Sequence, residues 1–256
     1  DYVISYIVDT KFYFHYYRFT KSNSNSNSNT IIFNYDYFPY FLQSPTVSYN
    51  NYNNFDSTCQ KMHYNSDNFD VLTCFYLMQG NKKIYSTSFY IDEGSQTFIP
   101  VLNITGPDIG ENIINIKAMS LTTQSINNLL LCFQDQNIVK CGIFNINTPN
   151  EMNFNLNCQS CEQYSMRIVY FALTQKTYMT CLMTSGICGI KASNDRVMDK
   201  IDDYTIDGSL NSFFHSFTYI KSFNRYALLI YNTINKDNKN KQNVKNYLFP
   251  GDTDTS

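Results

Sequence analysis

Eight cysteines, at positions 59, 74, 132, 141, 158, 161, 181 and 188, are the residues of this chain with the most chemistry to offer. Thiols can hold a metal, exchange electrons or close disulfides, and spacing separates these uses. In a two-stranded hairpin the numbers of facing residues have a constant sum. Pairing Cys132 with Cys141 centres a turn on Gln136 and Asn137, and pairing Cys59 with Cys74 centres one on Ser66 and Asp67. Pairing Cys181 with Cys188 centres one on Thr184 and Ser185, beside Gly186. All three centres are polar or turn-forming. Facing strand residues approach to about 4.5 Å at Cα, close enough for a disulfide. Three such coincidences favour local disulfides, and hence an oxidising compartment.

The rival uses fit less well. Cys158 and Cys161 form a C-x-x-C, and with Cys181 and Cys188 they resemble a four-thiolate zinc framework. The second half fails, because six residues separate Cys181 from Cys188 where a zinc knuckle wants about two to four. A redox C-x-x-C needs a helix N-terminus to lower its thiol pKa, and "NLNCQSCEQYSMRIVYF" leads into a strand. Cys158 and Cys161 are therefore expected to bridge each other or to exchange with neighbouring strands. No metal and no cofactor is expected.

The cysteines sit in a recurring pattern: a strand-like run, a polar turn, then a very apolar run. It reads "QKMHYNSDNFDVLTCFYL" (60–77), "KAMSLTTQSINNLLLCFQD" (117–135), "VYFALTQKTYMTCLMT" (169–184) and "SFTYIKSFNRYALLIYN" (216–232). An incomplete copy, "YVISYIV", opens the chain. Aligned, Ser5, Cys74, Cys132, Cys181 and Leu229 fall in register. A further strand follows each apolar run, and "QTFIPVLNI" (96–104) and "NEMNFNLN" (150–157) could supply a fourth. Three or four strands repeated every 45–50 residues or so is the pattern of β-propeller blades. The expected fold is all-β, a propeller-like array, complete or incomplete; the alternative is one large β-sandwich. The repeat domain spans 1–235, with the polar insertion "KSNSNSNSNT" (21–30) expected to be a disordered loop. Residues 236–256 read as a polar tail or linker. The chain starts inside a copy and ends in a weak strand, so other domains of a longer chain are expected partners.

Composition agrees. The 256 residues include 22 Tyr, 20 Phe and no Trp, and aromatic residues favour strands while the abundant Asn and Ser favour turns. Net charge is -2 and charged residues are 16%. That balance lacks the basic patch that nucleic acid requires. No run of about 20 apolar residues occurs, so no membrane span is expected.

Catalytic signals are sparse. His15, His63 and His215 lack metal-pair spacing and read as ordinary strand residues. The acidic stretch "DKIDDYTIDG" (199–208) reads as a solvated loop, since its spacing does not fit a calcium-binding loop. Propeller glycosidases need clustered carboxylates, whereas Asp9, Asp70 and Asp135 flank strands and Asp252 and Asp254 lie near the end. The chain is expected not to be an enzyme. One glycosylation triplet is present, Asn103-Ile104-Thr105, which would place Asn103 at the surface.

The hairpin cysteines, the "LLLCF" and "YMTCL" runs and the Asn/Tyr-rich composition resemble the extracellular repeat regions of large ciliate surface proteins. The resemblance implies a surface or secreted recognition domain and carries no catalytic residues. Three roles follow as expectations: a secreted or cell-surface domain binding a protein or glycan, a scaffold in a larger extracellular or ciliary assembly, and a propeller-type glycan-active enzyme.

Overall fold

A computed structural model describes residues 2–8, 11–22, 32–43, 57–64, 69–77, 83–92, 97–109, 113–121, 127–171, 175–183, 186–193, 198–205, 214–220, 225–236 and 239–250, with side chains described chiefly within 57–198. These residues form five separate antiparallel sheets in chain order. The first holds β1 (Tyr2–Val8), β2 (Lys11–Ser22) and β3 (Ile32–Gln43). The second holds β4 (Ser57–Tyr64), β5 (Phe69–Leu77), β6 (Lys83–Asp92) and β7 (Thr97–Asp108). The third holds β8 (Ile113–Ser120), β9 (Asn128–Asp135), β10 (Ile138–Asn145) and the short β11 (Leu156–Cys158). The fourth holds β12 (Arg167–Phe171), β13 (Lys176–Met183), β14 (Gly186–Ser193) and β15 (Met198–Thr205). The last holds β16 (Phe214–Ile220), β17 (Arg225–Lys236) and β18 (Lys239–Pro250).

Within every sheet the strands pair in the order in which the chain makes them. The first strand of each sheet touches the first strand of the next, from β1 through β4, β8 and β12 to β16. The fold is therefore all-β and propeller-like, an array of successive meanders. A sandwich would have gathered these strands into two sheets.

Burial explains the apolar runs. A sheet solvated on one face shows alternating residues, whereas a sheet covered on both faces reads as a continuous apolar strand. In β9, every residue from Asn128 to Gln134 is buried. Leu129, Leu131 and Phe133 join Met62, Val71, Phe75 and Leu77 in a core between the second and third sheets. Leu130 and Cys132 point the other way, into a second core with Met179, Cys181, Cys188 and Ile190 between the third and fourth sheets. Two cross-sheet hydrogen bonds reinforce this stacking. The Ala118 amide donates to Thr58 Oγ1 (3.3 Å), and Thr177 Oγ1 donates to the Ser120 carbonyl (2.6 Å).

Three expectations change. Lys239–Pro250, expected as tail, pairs with β17 along its whole length from Arg225↔Pro250 to Lys236↔Lys239. Its polar composition concealed a strand whose pairing partner specifies it. Met198–Thr205, expected as an acidic loop, is β15 and pairs with β14, setting Asp199 opposite Lys191. Ser5 lies on β1, which has one strand neighbour, whereas Cys74, Cys132 and Cys181 lie on second strands with two. The insertion at 21–30 begins within β2 at Lys21 and Ser22, and residues 23–31 lie outside the described residues. Asp9, Asp252 and Asp254 also lie outside them.

Gly142 marks a close approach in the third sheet. A Cβ there would lie 2.4 Å from the Asn153 carbonyl oxygen and 3.0 Å from its carbon. Backbone cannot move aside as a flexible side chain can. Gly142→Ala is expected to destabilise by about 1–3 kcal/mol through overpacking, read as a lower midpoint in denaturant unfolding. An unchanged midpoint would mean that the segment around Asn153 is free to retreat.

Candidate functional site

Two clusters of reactive or recognition-type side chains stand out among the described residues. The first is the set of cysteines. Cys59–Cys74 and Cys132–Cys141 are disulfides joining facing residues of adjacent strands, with Cα separations of 4.0 and 4.2 Å. Cys181 and Cys188 also face each other in the β13–β14 register. They are not bonded to each other: Cys188 is joined to Cys158 and Cys181 to Cys161, both with Cα separations of 5.8 Å. The expected Cys181–Cys188 pairing is thus corrected to an exchange with the C-x-x-C.

The reason lies in the path between the third and fourth sheets. The Cys161 amide donates to the Asn137 carbonyl (2.7 Å), and the Glu162 amide donates to the Leu182 carbonyl (2.7 Å). Ser165 Oγ donates to the Glu162 carbonyl (2.7 Å) and accepts from the Leu182 amide (3.2 Å). Gln134, fully buried, donates through Nε2 to the Gln136 carbonyl (3.1 Å) and the Glu162 carbonyl (2.9 Å). These bonds lay the 158–166 segment across both sheets as a clasp. They deliver two extra sulfurs to a pair that would otherwise close on itself. The sulfurs of Cys158, Cys181 and Cys188 lie within 4.8 Å of one another. That compactness suits a metal in geometry alone, but thiolates are the ligands, and all four sulfurs here are committed to disulfides.

The second cluster lies at the end of the second sheet that carries the 65–68 connection. Tyr64 and Phe69 face each other across β4 and β5, with rings edge to face at 6.0 Å. Phe69 meets Tyr90 of β6 edge to face at 5.2 Å. Tyr90 in turn faces Ile99 of β7. The row continues the core between the second and third sheets outward until it meets solvent, where Tyr90 is 39% exposed. An aromatic row of this kind offers flat apolar faces with a polar hydroxyl at the tip.

Ions line the opposite face of the same hairpin, because successive strand residues alternate faces. His63 faces Asp70, their Nδ1 and Oδ1 atoms are 3.2 Å apart, and Lys61 Nζ lies 2.6 Å from Asp70 Oδ2. Partial burial pushes the Asp70 carboxyl upward, but the hydrogen bonds and charges of Lys61 and His63 outweigh it and hold the group below its ordinary value. His63 was expected as an ordinary strand residue. It sits in a strand, and its carboxylate partner follows from the same facing-residue sum as Cys59 and Cys74. His15 lies opposite Ile4 and Pro39 and His215 opposite Ile230, so the three histidines are spread over three sheets. Asp135 lies at the end of β9, opposite Ile138 and Ile113, away from the Asp70 hairpin in sequence and in sheet.

The sign of the Asp70 effect gives a pH test. A carboxyl held low in the fold stabilises it above the unfolded pKa of about 3.9, and this is lost as pH falls through the folded value. Both partners are half exposed, so screening keeps the contribution below about 1 kcal/mol. Asp70→Asn is expected to lower stability slightly near neutral pH and to have no effect near pH 2. Equal losses at both would rule out the ion cluster as the cause.

No protein-family model matches the chain, and no curated protein matches it in sequence. Among solved structures it is similar to a mutant of the Aleuria aurantia lectin in complex with alpha-methyl-L-fucoside, at 10% identity and a TM-score of 0.39, covering 97% of this chain and 77% of the lectin. It is also similar to a protein assigned as a 6-phosphogluconolactonase from Bacteroides fragilis, at 10% identity and a TM-score of 0.35, covering 93% of this chain and 82% of that one. At these scores neither says what this chain binds or does. Neither points to a ciliate surface protein.

Proposed function

We propose that this chain is an extracellular recognition domain that binds a glycan through the exposed end of its second sheet. The observation that carries the reading is the row Tyr64–Phe69–Tyr90 running out of the core into solvent on one face of the sheet. An exposed aromatic row tipped with a hydroxyl is the composition of a ligand site. Aromatic faces suit the C–H faces of a sugar ring, and the phenol of Tyr90 suits its hydroxyls. The four disulfides support a place outside the reducing cytosol.

The test is a glycan array followed by calorimetry on the best ligand. Tyr90→Ala is expected to weaken binding at least tenfold with an unchanged unfolding midpoint. Affinity indifferent to Tyr90, or an array with no ligand, would overturn the reading.

A further inference from the structure

β7 is an edge. Its one strand neighbour among the described residues is β6, and an open edge is a template for pairing with another chain. Folded proteins blunt such edges with charges, prolines or bulges. Pro100 and the register shift near Ser88 and Phe89 protect the first part of β7, and Pro107, Asp108 and a second register shift between Lys83 and Tyr85 protect its end. From Val101 to Thr105, "VLNIT", there is no charge and no proline. Ile99 and Val101 are 45% and 37% exposed. The unprotected stretch is also where the Asn103-Ile104-Thr105 triplet falls. Asn103 and Thr105 are exposed and Ile104 is buried, so the acceptor amide and the hydroxyl that specifies it both lie on the outside of the finished fold.

The rest of the sequence sharpens this. With 33 Asn and 44 Ser plus Thr in 256 residues, the product of their frequencies gives about five or six such triplets by chance. The chain has one, at the bare part of an edge strand.

We infer that Asn103 carries an N-linked oligosaccharide that screens the Val101–Thr105 edge from pairing with a second copy of the chain. The step joins Asn103 Nδ2 to the anomeric carbon of a lipid-diphosphate-linked oligosaccharide. The glycosyl C–O bond breaks, the lipid diphosphate leaves with the electron pair, and the amide proton passes to a base. The inference rests on the extracellular reading, which alone brings the chain to such a donor.

The experiment uses the full chain secreted from a eukaryotic host behind a cleavable leader. Intact mass is measured before and after glycan release in heavy-oxygen water, and free thiols are counted on the same sample. The expected result is one glycan, with the heavy-oxygen aspartate at 103 after release. The glycan should be lost in Asn103→Gln and Thr105→Ala and kept in Thr105→Ser. Sedimentation should show the released protein and Asn103→Gln self-associating at concentrations where the glycosylated chain is monomeric. An unmodified Asn103 in a sample with no free thiols overturns the inference and leaves the extracellular reading standing. Free thiols overturn that reading separately. A glycan whose removal leaves sedimentation unchanged overturns the screening.

Discussion

Phe75→Ala is expected to cost about 3–5 kcal/mol, the range for emptying a fully buried aromatic site. Phe75 stands on β5 with no exposure and meets Phe144 of β10 edge to face at 4.9 Å. The two rings come from different sheets, so the loss falls on the packing of one sheet against the next. For a chain of this size that corresponds to a fall of about 6–20 °C in melting temperature. Phe144→Ala should cost a similar amount. The double variant should cost less than the sum, because each single change already forfeits the shared contact. Calorimetry of the three variants checks this, and a loss below about 1 kcal/mol for either ring would mean that the sheets do not pack through this pair.

The nested disulfides give the second large effect. Cys161–Cys181 spans 20 residues, worth about 3.3 kcal/mol in the chain-entropy model. Once it is closed, Cys158–Cys188, with a separation of 30, restrains only the remaining slack of ten residues, worth about 2.7 kcal/mol more. Removing all four cysteines is therefore expected to cost about 6 kcal/mol, and removing the outer pair alone less than half of that. A more telling variant is Cys158→Ala with Cys161→Ala. It leaves Cys181 and Cys188 facing each other across β13 and β14, and they are expected to close the local disulfide that the clasp prevents. Non-reducing peptide mapping should find a Cys181–Cys188 peptide; two free thiols there would show that the facing geometry is not sufficient.

The facing-residue sum was legible because a hairpin is a local object. It placed Cys59 opposite Cys74, Cys132 opposite Cys141 and Cys181 opposite Cys188 in the observed registers. It equally places His63 opposite Asp70, a pairing that searching for metal spacings passes over. What it cannot see is a third segment. The clasp reaches Cys181 and Cys188 through hydrogen bonds from Cys161, Glu162 and Ser165, none of which leaves a periodic trace.

The repeat was legible as a period but not as a phase. Aligning Cys132 with Cys181 suggests equivalent positions in successive sheets, yet both lie in the same core between the third and fourth sheets. One looks forward and the other back. A slip of one residue turns a strand's whole set of side chains to the opposite face, and with both faces apolar the sequence does not resist the slip. β18 and β15 were missed for the converse reason. Their polar residues lie on strands at the ends of their sheets, where the ladder, rather than an apolar pattern, makes the strand.

The clasp also has a mechanical meaning. Cys158 and Cys188 are 30 positions apart in the chain but 5.8 Å apart in space. Under tension applied through the two ends, the stretch between them cannot lengthen fully until both nested sulfur–sulfur bonds are broken. At about 3.3–3.6 Å per extended residue, roughly 100 Å of contour is held in reserve. A thiol reductant in the surroundings would release it, so the reach of the pulled chain would report the redox state of its environment.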